Sequence, residues 1–241
     1  MLRSILFSVF ILVSFSTHAQ IKDLLKKADK AQEKVLGNDG LDVGNGLKEA
    51  LRFGVTEAVD QLSSENGYFG SPYKILLPKE AVPVVEKLKM VPGFQDVETN
   101  LIAKMNQAAE IAAKKATPIF VNAITSLTFD DAMNILMGED DAATQYLTKT
   151  TRKQLYDAFL PVIQSALDEV NARTYWKSAV DAYNKLPFVN KVNPQLDDHV
   201  NNKALDGLFS LIAVKEGKIR HDVNERKTDL LRNVFAKQDK K

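Results

Sequence analysis

Residues 96–115 read DVETNLIAKMNQAAEIAAKK, and this stretch decides the fold class. Apolar side chains recur in it at intervals of three and four, glycine and proline are absent, and alanine, the best helix former, is its commonest residue. It predicts a long alanine-rich helix.

The same spacing continues in both directions. Toward the C-terminus, Thr117-Pro118 reads as an N-cap with proline at the first helical position, and Thr128 with Asp131 repeats a start signal. Gly138 after Met137 is a stop. Asp140 or Asp141 is expected to cap a short helix, Ala142 to Thr148. Thr150 or Thr151 is expected to cap the next, whose core runs from Leu155 to Val170 with a kink at Pro161. Tyr175, Ala179, Tyr183 and Leu186 form another stripe closed by Pro187, and residues 188–194 read as a connector. Asp197 opens a strongly apolar helix, and Thr228 caps the last one.

Toward the N-terminus, Leu47, Leu51, Val55, Ala58 and Leu62 make a stripe that ends at Ser63 to Gly67. Ile75-Leu76-Leu77, between Pro72 and Pro78, is the one stretch that reads as extended. Ile21, Leu24, Leu25, Ala28 and Val35 form an earlier stripe, broken at Gly37-Asn38-Asp39-Gly40. The expected fold is therefore all-α, an irregular array of about ten short-to-medium helices with one short extended segment near Ile75-Leu77. No fixed-period repeat supports a solenoid.

The first 19 residues have a different character. Arg3 precedes an apolar run from Ile5 to Phe15, and Thr17-His18-Ala19 precedes Gln20. A charged start, a short apolar run and small residues at the cleavage positions describe a secretory leader. The run is shorter than the ~20 residues a membrane-spanning helix needs, and no second run of that length follows, so no transmembrane anchoring is expected after cleavage. The chain divides into a leader at 1–19, an amphipathic helix and linker at 20–45, a helical domain at 46–237 and a polar tail at 238–241.

Composition narrows function by exclusion. Of 241 residues 45% are hydrophobic, enough for a packed core, and there are no cysteines for disulfides or lipid attachment. With Arg3 removed, 31 basic residues face 31 acidic ones, which argues against nucleic acid as a partner. Lys22, Lys26, Lys27, Lys30 and Lys34 read as the wet face of the first helix.

Several strings in order and spacing, namely residues 46–51 (GLKEAL), 105–110 (MNQAAE), 140–146 (DDAATQY), 205–209 (LDGLF), Ile219-Arg220 and 228–231 (TDLL), resemble the domain-of-unknown-function family 4197, exported proteins of Gram-negative bacteria. The likeness runs from about Gly46 to Phe235. It implies a helical fold and a periplasmic setting, and carries no established reaction. The stretch after Arg220 departs from the family's pattern, which tends to have Asn-Pro where this chain has Asp222-Val223-Asn224.

Candidate sites are few. His199 and His221 lack helical ligand spacing, so no metal or other cofactor is expected, and Asn38, Asp39, Asp42 and Asn45 do not follow the order of a calcium-binding loop. No nucleophile elbow or phosphate-binding glycine loop occurs. Asn106 and Glu110 lie four apart on the alanine-rich helix, among side chains small enough for a close approach. They read as a ligand contact or as a hydrogen-bonding pair that joins two elements. Glu139, Asp140 and Asp141 precede a helix, with Lys149, Arg152 and Lys153 beyond it, and capping explains at least one of the three acids. Tyr175, Trp176, Tyr183 and Phe188 read as core aromatics. The function expected is non-enzymatic binding of an apolar small molecule or an envelope protein in an inter-helix groove. The alternative is a hydrolase using Glu110 or Asp141 as general base.

The leader reading gives a direct test. The exported protein should begin at Gln20, and an intact mass that still includes residues 1–19 would refute it.

Overall fold

The stripe Leu47, Leu51, Val55, Ala58 and Leu62 is buried along α1, a helix over residues 43–63. Chain order then gives α2 (Val82–Leu88), α3 (Val97–Ala113), α4 (Ala116–Thr125), α5 (Phe129–Leu136) and α6 (Ala142–Glu169). It ends with α7 (Ala172–Tyr183), α8 (Leu196–His221) and α9 (Asp229–Phe235). Short 3-10 turns lie at Lys79–Ala81 and Val223–Glu225.

This computed structural model describes residues 43–90, 95–169, 172–185, 187–192 and 195–239. The expected leader, and the helix and linker expected at 20–45 apart from residues 43–45, lie outside them. So do Asn38, Asp39 and Asp42 of the acidic linker. Among the described residues no strand occurs, and the protein is all-α.

The centre is built on α3, α6 and α8. Ala108, Ala109, Ala112 and Ala113 are fully buried, and side chains that small let the larger residues of α6 and α8 close over α3. Leu147, Leu155, Phe159, Ile163 and Leu167 form the buried side of α6, and Val200, Ala204, Leu208 and Ile212 that of α8. Phe120 of α4 meets Phe209 of α8 edge to face, with ring centres 5.8 Å apart. Trp176 is core as expected.

Helix starts follow the sequence signals in part. Thr128 and Asp131 form a reciprocal capping box, in which the Thr128 hydroxyl and backbone N–H hold the Asp131 carboxyl below its ordinary range. Thr228 caps α9 by accepting from Leu231 N at 3.2 Å. Thr117 does not cap α4, which starts at Ala116 after Lys115. Pro118 then falls inside the first turn, where its missing N–H would have had no intrahelical acceptor anyway.

Nor do Thr150 and Thr151 start a helix. α6 runs unbroken through them for 28 residues. Their hydroxyls donate back to Tyr146 O at 2.8 Å and Leu147 O at 2.6 Å, which satisfies both inside the helix. Pro161 lies within α6 as well, and in the turn before it the Tyr156 carbonyl accepts from Asn201 of α8 at 3.0 Å.

The sharp corner between α5 and α6 is closed by two buried residues of α8. Arg220 donates to Ile135 O at 2.8 Å and Leu136 O at 3.1 Å, the end of α5. Glu216 accepts from Ala143 N at 2.9 Å, Thr144 N at 2.8 Å and the Thr144 hydroxyl at 2.8 Å, the start of α6. The two side chains also bond each other, at 2.7 and 3.0 Å. A cation thus meets a helix C-terminus and an anion a helix N-terminus, the favourable sense for both dipoles. The expectation that Asp140 or Asp141 caps α6 is corrected here, because the N–H groups such a cap would serve are taken by Glu216. Asp141 instead accepts from the Gln145 side chain at 2.8 Å, and Asp140 faces His221 at 2.9 Å.

The end of α8 is closed in a similar way. Arg226, also buried, donates to Ile219 O at 3.0 Å and Arg220 O at 2.7 Å, and it grips both carboxylate oxygens of Asp239.

Removing half of a buried charge pair leaves the other half without a partner, so Arg220→Met should cost about 3–5 kcal/mol in urea unfolding. Asp141→Ala, at an exposed turn, should stay within about 0.5 kcal/mol of wild type. The reverse order of effects would show that the corner is held by Asp141 after all.

Candidate functional site

Asn106 and Glu110 sit one turn apart on α3, and both meet the segment that follows α1. The Asn106 amide accepts from Ile75 N at 2.8 Å and donates to Ile75 O at 2.9 Å, pairing with that residue as a neighbouring strand would. Its second donor hydrogen reaches Ile102 O at 2.7 Å. Glu110 accepts from Tyr68 N at 3.2 Å and Phe69 N at 3.4 Å. Residues 74–78 run here without regular secondary structure, at the place where the sequence reads as extended.

This strap is held from α8 as well. The buried Tyr68 hydroxyl donates to Ala204 O at 2.8 Å, and burial together with the negative charge of Glu110 pushes its pKa well above the ordinary phenol value. His199 Nε2 lies 2.9 Å from Leu76 O. At Gly207 a Cβ would stand 3.1 Å from both Tyr68 and Tyr73, so a residue without a side chain lets the strap lie close on α8.

The remaining candidates are dispersed. Glu139, Asp140 and Asp141 occupy the α5–α6 turn, whereas Arg152 lies farther along α6 and bonds Asp206 of α8 at 2.7 Å. The acids and Arg152 thus do not form one constellation. Beside Asp206 an open cleft runs between α8 and the strap, lined by Tyr73, Lys74, Lys203 and Ser210. Among the described residues no three His, Asp or Glu side chains are grouped to hold a metal ion. No described helix is long and apolar enough to cross a membrane.

An apolar crevice lies between α1 and α8. Leu47, Leu51, Val55, Ile212, Ile219 and Phe235 are among its walls, and Glu216 and Arg220 border it. Its free volume is about 20 Å³, room for roughly one water molecule. The bordering ion pair is committed to the α5–α6 corner, so the crevice presents hydrocarbon.

Sequence reasoning passed over Glu216, Arg220 and Arg226. The first two carry a readable signal, because they stand four apart and in phase with Leu208, Ile212 and Ile219 on the buried stripe of α8. Charges in that register are desolvated and need partners. Arg226 lies in no helix and gives no such signal.

These features define an all-α protein in which the buried side chains of Glu216, Arg220 and Arg226 close helix ends and that of Asn106 pins one strap. Residues 37–236 match the family described as Protein of unknown function (DUF4197), and the chain belongs to that family. No curated protein and no solved structure matches it.

The strap geometry separates two roles for the α3 pair. Asn106→Leu should cost about 2–3 kcal/mol, by leaving two backbone groups of Ile75 unbonded, and should raise amide exchange at Ile75. Glu110→Gln keeps an accepting oxygen and should shift the melting temperature little. Slow exchange at Ile75 in the Asn106 variant would show that the strap does not depend on this pair.

Proposed function

We propose that the chain is exported to the periplasm, is cleaved after Ala19, and acts by binding: it takes the hydrocarbon part of an apolar small molecule between α1 and α8. The observation that carries this reading is Gly54, at the crevice wall. A glycine inside a helix costs about 1 kcal/mol relative to alanine, and packing does not demand one here. A Cβ at Gly54 would stand 3.8 Å from Ile219 Cδ1 and 3.9 Å from Lys215 Cβ, which is ordinary contact. Gly46, on the same helix, is different, since a Cβ there would lie 2.3 Å from Val234 Cγ2. Gly54 lowers the crevice wall at a cost in stability, the trade expected of a binding surface.

A free volume of about 20 Å³ means that α1 must move off α8 to admit a ligand. Its side-chain polar ties favour this. Lys48 and Arg52 reach Thr125 at 3.1 and 3.0 Å, and Glu57 meets Lys215 and Lys227 at 3.3 and 2.8 Å. The contacts of Lys48, Arg52 and Lys227 lie at the surface, where each contributes little, and the Glu57–Lys215 pair is half-buried. α1 is held mainly by non-directional apolar contact, which an alkyl chain replaces like for like.

The hydrolytic alternative has less support. Glu110, its first candidate base, spends its carboxylate on two backbone N–H groups, and Asp141 bonds the Gln145 amide.

A long-chain fatty acid should raise the melting temperature of the wild-type protein. Gly54→Ala should add about 1 kcal/mol of stability, and Gly54→Leu, which fills the crevice, should abolish the response to fatty acid. A wild-type melting temperature unmoved at saturating fatty acid would end this reading.

A further inference from the structure

Phe188, expected in the core, is the most exposed large hydrophobic residue described, at 107% relative exposure. It stands in the connector between α7 and α8 with φ at 61°, a left-handed conformation that suits glycine or asparagine and is rare for a bulky side chain. The ring gains no packing from that position. Backbone strain at an exposed aromatic points to work done outside the molecule.

The base of this loop is fixed. The Asn184 side chain accepts from Val192 N at 2.9 Å and donates to Val192 O at 2.9 Å, so one amide clamps both ends. Val192 is itself buried. Pro187 and Phe188 are exposed at the tip, Val189 is half-buried, and Lys185 and Lys191 are exposed on either side. Among the described residues neither lysine pairs with a carboxylate.

The same end of the molecule carries a second apolar point. α2 packs against α7, and Lys87 near the end of α2 lies 5.3 Å over the ring of Tyr183 at the end of α7. Just beyond α2, Met90 is 79% exposed and Lys89 is paired with Glu98. Asp181 of α7 is occupied by Lys177 at 2.7 Å. Lys87, Lys185 and Lys191 thus place three positive charges around the exposed apolar residues of this end, against the exposed carboxylate of Glu86 on α2.

We propose that the 185–191 loop docks the protein on an anionic lipid surface, with the Phe188 ring entering the boundary between headgroups and acyl chains and Lys185 and Lys191 meeting lipid phosphates. A projecting aromatic with lysines on both sides fits a flat anionic interface, where long lysine stems can lie along the hydrocarbon while their heads reach phosphate. The binding is peripheral and reversible, since one ring and a few lysines supply only a modest attraction. This inference is independent of the crevice.

The test is co-sedimentation of the processed protein with vesicles of phosphatidylcholine alone and of phosphatidylcholine containing phosphatidylglycerol. Wild type should bind the anionic vesicles preferentially and be released by high salt. Phe188→Gly removes the ring and relieves the backbone, so it should weaken vesicle binding about tenfold or more while the melting temperature holds or rises. Lys185→Glu with Lys191→Glu should abolish the preference for phosphatidylglycerol. Equal wild-type binding to both vesicles, binding to neither, or unchanged binding by Phe188→Gly would overturn the proposal.

Discussion

The contact between Glu216 and Arg220 is the constraint on which the rest of the helix packing depends. Two helices that meet at a sharp corner leave carbonyls at the end of one and N–H groups at the start of the other, and burial makes those groups costly. Here one carboxylate and one guanidinium satisfy both sets at once, from a third helix. The desolvation cost of the two charges is offset by their mutual bonds and by the helix dipoles they face. Because α8 supplies both groups, the positions of α5 and α6 are set by α8, and the alanine-lined face of α3 fits against α6 and α8 in that arrangement.

The strap follows the same logic on the opposite side of the sequence. Its backbone has no regular partner, so side chains of α3 and α8 take the place of a ladder. The Asn106 and Glu110 pair belongs in this respect with Glu216 and Arg226: each is a side chain bonded to the chain's own backbone. The proposed binding surface is instead the hydrocarbon between α1 and α8, which is why that reading turns on a glycine rather than on a charge.

The fold class was legible because alanine content and a spacing of three to four are local properties. Starts at Thr128 and Thr228 were legible for the same reason, as their capping partners lie within three residues. The α5–α6 corner was not, since its partners lie more than 70 positions away and three nearby acids offered a cheaper explanation. Thr150 and Thr151 misled because a hydroxyl serves a helix start and a helix interior equally well. Phe188 was read as core from its aromatic neighbours in sequence, although the loop that holds it outward is set by a bond between Asn184 and Val192.

The distance in sequence between the corner and its staple bears on when the chain can fold. Residues 216 and 220 come late in a chain of 241, and the Tyr68 hydroxyl likewise waits for Ala204, 136 positions later. A nascent chain that has reached α6 or α7 therefore holds an α5–α6 corner with no partner and a strap pinned by α3 alone. The packing of α3, α4 and α5 on α6 can close without α8, whereas the corner and the second side of the strap cannot. The α5–α6 corner and the α8 side of the strap are thus the last parts of the fold to close.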